Sequence, residues 1–205
     1  QYVGATKRSK IVVLTSSISG EGKTTVAVGL SKIIAATGKK VVILDLDMRR
    51  SRMHDEFKIT NKVGASSLLS KNSTLEEVLQ RGVLENLDVI TAGPKPPNPS
   101  ELLVTAKFDR LIETLSQEYD YIILDTPPIG LVTDAMILLK IADVGLIATR
   151  ANYSKKIFLK NVERFAKEHE LHNLGFVING LESSKSHGYG YGYGYGYGPS
   201  KGYYE

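Results

Sequence analysis

The chain has 205 residues, 42% of them hydrophobic and 23% charged, with a formal net charge of +4 and no cysteine. This is ordinary for a globular protein, and the length suffices for one well-buried domain. It excludes a disulfide framework or a thiolate metal site. No apolar run approaches the ~20 residues that cross a bilayer. The basic clusters Lys7/Arg8/Lys10, Arg49/Arg50/Arg52 and Lys155/Lys156/Lys160 are small enough to read as solvated faces, so no nucleic-acid partner is expected. The first residue is Gln1 rather than Met, and the expectation is a piece of a longer protein.

In chain order, "KIVVLTS" (Lys10–Ser16) predicts a buried strand, followed by a helix over 23–37. "KKVVILDLD" (Lys39–Asp47) predicts a second strand. A helix is expected around 74–81, then a strand over "LDVITAG" (Leu87–Gly93). The Pro-rich stretch "GPKPPNPS" (Gly93–Ser100) is neither strand nor mid-helix. A helix over 100–117 leads to a strand over "YIILDT" (Tyr121–Thr126), and a helix over 133–141 to a strand over "VGLIATR" (Val144–Arg150). A helix over 155–170 and the strand "LGFVING" (Leu174–Gly180) complete the body. Near-continuous apolar strands alternating with helices predict an α/β fold with a doubly wound, mainly parallel sheet and helices on both faces. The expected division is one domain over 1–182 and a disordered Tyr/Gly-rich tail over 183–205, where composition collapses to residues with little to bury.

"SISGEGKTT" (Ser17–Thr25) lies between the first strand and the first helix. Gly20 and Gly22 let backbone N–H groups turn around an anion at the helix N-terminus. The loop comprising Ser19, Gly20, Glu21, Gly22, Lys23, Thr24 and Thr25 is therefore read as nucleotide-binding. Lys23 would neutralise the outer phosphates and the Thr24 hydroxyl would ligate Mg²⁺. The usual pattern starts with Gly, where this chain has Ser17.

The second strand ends "ILDLDMRR". Asp45 and Asp47 are two apart, so on a strand both carboxylates would point to one side. "YIILDTPP" puts Asp125 on the same edge, where open α/β sheets bind ligands. Loop, Lys, Thr and three carboxylates are sufficient for Mg-nucleotide chemistry, with ATP and Mg²⁺ as the expected cofactors. One carboxylate exceeds what a simple ATPase needs. It could take a proton from a hydroxyl attacking the γ-phosphate, and spacing leaves open whether Asp45 or Asp47 does so.

"GEGKTT", "ILDLDMRR" and "YIILDTPP", together with "NPSELL" (Asn98–Leu103), "TDA" (Thr133–Ala135) and the Tyr-rich end, resemble the bacterial tyrosine kinases of capsular and exopolysaccharide synthesis and export. The resemblance spans about Ser9 to Glu182. In that family the first three segments are the Walker A, Walker A′ and Walker B motifs of a P-loop NTPase. It implies that Lys23 holds phosphate and Thr24 Mg²⁺, with Asp45 at or near the base and Asp47 and Asp125 around the metal. It implies that Asn179, and Arg150 after the preceding strand, lie near the nucleotide, and that "MRRSR" borders the substrate cleft. It also implies a ring-forming homo-oligomer, a transmembrane co-polymerase region or activator, a tyrosine phosphatase, and a cytoplasmic place at the inner face of the membrane. The Glu-x-x-Arg-x-x-Arg segment that members use for subunit contact is absent from this sequence. A switch ATPase of the ParA/MinD type is the alternative. Its second loop lysine corresponds here to Ile18.

"GYGYGYGYGYGPSKGYYE" (Gly188–Glu205) holds seven of the chain's 11 tyrosines: Tyr189, Tyr191, Tyr193, Tyr195, Tyr197, Tyr203 and Tyr204. They are the expected phosphoacceptors. A coil over 183–205 spans ~25–30 Å and at most ~75–80 Å, far enough to reach a neighbouring molecule's site.

Overall fold

The computed structural model describes residues 9–70, 72–129 and 134–181. The seven tail tyrosines, Thr133 and the expected boundary at 182/183 lie outside the described residues. The elements are β1 (Lys10–Ser16), α1 (Lys23–Ala36), β2 (Val41–Asp45), α2 (Met53–Phe57), α3 (Ala65–Leu69), α4 (Leu75–Val78), β3 (Leu79–Leu84), β4 (Leu87–Ile90), α5 (Pro99–Leu102), α6 (Ala106–Glu118), β5 (Tyr121–Asp125), α7 (Asp134–Leu139), β6 (Val144–Arg150), α8 (Lys156–Glu168) and β7 (Leu174–Asn179). The sheet runs β3-β4-β2-β5-β1-β6-β7. Every pairing is parallel except β3 with β4.

β2 and most of β5 are buried on both faces, which is why their side chains are Val, Ile and Leu without polar alternation. One sheet face packs Val42, Leu44 and Ile122 against Phe108, Leu111 and Leu115 of α6, with Leu68 and Leu69 of α3 and Leu138 of α7. The α6 residues recur at 108, 111, 112 and 115, one stripe of a helix. The opposite face packs Val12, Leu14, Val41 and Ile43 against Ala27, Val28 and Ala35 of α1 and Met53 of α2. Burial of such side chains, at ~1.5–3 kcal/mol each, holds the layers together.

Two expected helices come out differently. The one over 74–81 stops at Val78, and the chain continues as β3, antiparallel to β4. The turn between those strands uses Asn86 at φ 60°, a conformation that Asn tolerates better than most residues. The helix over 100–117 divides into α5 and α6, because Thr105 is an extended N-cap whose Oγ1 accepts from the Phe108 N–H at 3.3 Å. α2 and α3 were not expected.

Candidate active site

β1 adjoins β5 on one side and β6 on the other, and α1 leaves its C-terminal end toward β2. Strand order thus reverses at β1, opening a crevice above the strand ends. The loop Ser17–Gly22 fills this point. Gly20 and Gly22 have φ 89° and 85°, values that exclude most side chains. A Cβ on Gly22 would lie 1.9 Å from Asn179 Nδ2. Glycine at these two positions lets the loop turn its backbone N–H groups inward without the strain a side chain would bring.

Glu21 shapes the cradle from beneath. Its buried carboxylate accepts from the Ser17 N–H at 2.7 Å and the Ile18 N–H at 3.0 Å, and from Ser154 Oγ at 2.5 Å. Arg150 at the end of β6, Tyr153 in the turn after it and Asn179 at the end of β7 brace the loop. Asn179 Nδ2 donates to the Glu21 carbonyl at 3.2 Å, Tyr153 Oη to the Ser19 carbonyl at 3.0 Å and Arg150 to the Gly20 carbonyl at 3.4 Å. The Arg150 guanidinium also lies 5.6 Å from the centre of the Tyr153 ring.

Lys23 and Thr24 begin α1 and face Asp125 at the end of β5. Lys23 Nζ pairs with Asp125 Oδ1 and is 3.8 Å from Asp47 Oδ2. Thr24 Oγ1 donates to Asp125 Oδ2 at 2.6 Å. Burial pulls the Lys23 ammonium down, but Asp125, Asp47 and Asp45 outweigh it and hold its pKa above the ordinary value. Lys23 therefore stays a cation.

Asp45 is the register partner of Asp125 across β2 and β5 yet makes different contacts. Oδ2 accepts from Ser51 Oγ at 2.7 Å, and Oδ1 accepts from the Asp47 N–H at 3.1 Å. Burial, reinforced by the Asp125 charge, pushes its carboxyl up to about 7, against the Ser51 hydrogen bond and the Lys23 charge. β2 ends at Asp45, so the period-two alternation does not carry on to Asp47. Asp47 instead sits in the following turn and accepts from the Arg50 N–H at 3.1 Å. Arg49 ties this turn to the rest of the cleft, 3.2 Å from Asp134 at the start of α7 and 2.8 Å from Ser100 in α5.

A cavity of 910 Å³ opens above these groups. Of the residues singled out in the sequence, Ser19, Gly20, Glu21, Gly22, Lys23, Thr24, Thr25 and Asp47 line it. Asp45 and Asp125 lie beneath, and Arg150 and Asn179 behind the loop. Arg49, Arg50, Ser51 and Arg52 of the "MRRSR" segment also line it, with His54, Pro127 and Pro128. The bond from Ser51 to Asp45 and the internal tie of Glu21 give no signal within those motifs, because they depend on a turn and on a contact between distant segments. Thr24, Asp47 and Asp125 supply the hard oxygen donors that suit Mg²⁺.

A family model described as an AAA domain matches residues 9–174. The tyrosine-protein kinase YwqD of Bacillus subtilis is 37% identical over 185 residues, covering 90% of this chain and 78% of that protein. The tyrosine-protein kinase ptk of Acinetobacter johnsonii is 35% identical over 180 residues, and the match spans 87% of this chain but only 24% of that protein. Among solved structures, the kinase domain of the Escherichia coli tyrosine kinase ETK superposes with a TM-score of 0.81 at 32% identity, covering 92% of this chain and 73% of the other. With its phosphate loop, its paired strand-end aspartates and these relatives, the chain belongs to the bacterial tyrosine kinase family.

Proposed function

We propose that the chain is an ATP-dependent protein-tyrosine autokinase that phosphorylates the tyrosine cluster of its own C-terminal tail, in trans between subunits. The observation that carries this reading is the division of carboxylates around one cavity. Asp125 and Asp47 face Lys23, whereas Asp45 is joined to the Ser51 hydroxyl. The seven tyrosines of Gly188–Glu205 supply the hydroxyls that such a base would serve.

In this reading the Gly20–Thr25 loop and Lys23 hold the phosphates of ATP. Thr24, Asp47 and Asp125 hold Mg²⁺, which when bound neutralises charge developing on the phosphoryl oxygens. The acceptor tyrosine oxygen bonds to the γ-phosphorus as the bond to ADP breaks. Its proton passes to Ser51 Oγ, whose own proton goes to Asp45 Oδ2. A phenol with a pKa of about 10 benefits from a base whose pKa lies near 7. Arg150 and Asn179 hold the loop, close to the nucleotide.

The expected setting is a ring-like homo-oligomer at the cytoplasmic face of a membrane, with a transmembrane co-polymerase region or activator and a tyrosine phosphatase, in exopolysaccharide or capsule synthesis. The greater length of the Acinetobacter relative supports an attachment of this kind. Among the described residues no helix is long and apolar enough to cross a membrane. Each phosphotyrosine adds about −1.5 to −2, so seven add ~−10 to −14. That exceeds the +4 of the chain, and fully phosphorylated subunits should separate.

Intact mass and peptide mapping after dephosphorylation and incubation with Mg-ATP, beside Lys23→Met, test the assignment. Successive additions of ~80 Da on Gly188–Glu205, absent from the variant, are expected. ADP formation without added mass would instead indicate a ParA/MinD-type switch. Light scattering before and after full phosphorylation tests the separation, and an unchanged oligomer would contradict it.

A further inference from the structure

The cavity is lined by more cations than the transfer reaction uses. Lys23 is paired with Asp125, and Arg49 with Asp134 and Ser100. Arg50 and Arg52 line the same cavity and are exposed. Among the described residues, neither guanidinium has an ion pair or a hydrogen bond. Among the described residues, no carboxylate that lines the cavity pairs with either guanidinium. Glu21 is held by the loop N–H groups and Ser154, and Asp47 by Lys23 and the Arg50 N–H. Asp55 is 3.4 Å from His54, and Glu56 is 3.5 Å from Thr25 Oγ1. Two free guanidiniums beside a transfer site are suited to a dianionic oxyanion, which arginine grips through paired N–H donors.

The acceptor supplies such an anion once the reaction has begun. In the tail, tyrosines alternate with glycine from Tyr189 to Tyr197. In an extended chain, residues two apart project to the same side ~7 Å apart. The cavity volume corresponds to a cube of about 10 Å on edge, so a tyrosine at the transfer point has its modified neighbour within the same cleft. We propose that Arg50 and Arg52 form a phosphotyrosine subsite, which makes a tail that already carries one phosphate a better acceptor than an unmodified tail. This rests on the tyrosine-kinase reading above. Two guanidiniums match one phosphate, so the first modifications favour docking. Accumulated phosphates outnumber the guanidiniums, and repulsion then separates the chains.

The test uses two synthetic peptides with the sequence Gly188–Glu205, one unmodified and one phosphorylated at Tyr197, as acceptors at saturating Mg-ATP. With ATP filling the phosphate loop, the phosphopeptide cannot draw its advantage from that cradle. The wild-type protein should show about tenfold higher kcat/KM for the phosphopeptide, chiefly through KM. In Arg50→Gln/Arg52→Gln the ratio of the two kcat/KM values should fall to about one. In Lys39→Gln/Arg110→Gln, an equal loss of charge at exposed positions away from the cavity, the ratio should persist. Anisotropy of the labelled phosphopeptide with Mg-ADP bound gives a readout independent of turnover, with about tenfold weaker binding expected for the Arg50/Arg52 variant. Equal labelling of both peptides by the wild-type protein, or a preference that survives in the Arg50/Arg52 variant, overturns the subsite and leaves the kinase reading standing. Labelling of neither peptide by protein that binds Mg-ADP overturns both.

Discussion

Strands β2 and β5 end on aspartates that face each other in register, Asp45 beside Asp125. Both are buried, at 1% and 0% exposure, and both follow apolar residues, yet they are wired differently. Asp125 meets the Lys23 ammonium and the Thr24 hydroxyl, so it belongs to the phosphate side of the site. Asp45 meets the Ser51 hydroxyl and backbone N–H groups, and burial raises its carboxyl to about 7. Two equivalent positions in the sheet are separated by what the neighbouring segments bring to them. Burial pushes both carboxyls up; at Asp125 the Lys23 ammonium and the Thr24 hydroxyl oppose that rise, whereas at Asp45 the Ser51 hydroxyl is the first opposing contact.

The largest expected effect comes from removing the cation. Lys23→Met should lower phosphotransfer by about 10³-fold or more, comparable to the loss of a central electrostatic stabiliser. It also leaves Asp125 buried without its partner, so thermal unfolding should report a loss of about 3 kcal/mol or more. Next comes Asp45→Asn, for which about 10²-fold or more should be lost in single-turnover transfer at little cost in ATP affinity.

The same substitution sharpens the comparison through pH. The folded pKa of Asp45 is raised, so the folded state holds a proton that the unfolded chain releases above about 4. Below that pH the group is protonated in both states, so its contribution is fully present and does not change with pH. Stability of the metal-free protein should therefore fall as pH rises from about 4 to 7, by up to about 1.4 kcal/mol per unit from this group, and level off above 7. Denaturant titrations across that range should show a flatter profile for Asp45→Asn. The smallest effect is that of Ser51→Ala, which removes the hydroxyl between cavity and base. About a tenfold slower transfer and a loss of about 1 kcal/mol in stability are expected, read from single-turnover rates and denaturant melts.

Much of this was legible in the sequence. The parallel core strands announce themselves as apolar runs, and the phosphate loop by its glycines and Lys23 between β1 and α1. Asp45 and Asp125 were visible because each closes such a run at the ligand edge. What escaped the sequence depends on contacts between segments far apart in the chain. Glu21 reads as one more member of the nucleotide-binding loop, and only the fold ties its carboxylate to the Ser17 and Ile18 N–H groups and to Ser154. Arg49 reads as part of a basic turn, and only the fold sets it on Asp134 and Ser100. The expected helix over 74–81 lost its last residues to β3, where pairing with β4 overrides local helix preference. Asp45 and Asp47 looked equivalent at a spacing of two, but the strand ends between them, and each faces a different partner.

The most direct test of the division between the two strand-end aspartates is the single-turnover rate of phosphate transfer to the tail in Asp45→Asn, measured beside its affinity for Mg-ATP. A transfer rate lowered about 10²-fold or more, with ATP affinity within a few-fold of wild type, is the predicted result. Transfer at the wild-type rate, or a loss accounted for entirely by weakened ATP binding, would contradict the assignment of Asp45 to the acceptor side of the site.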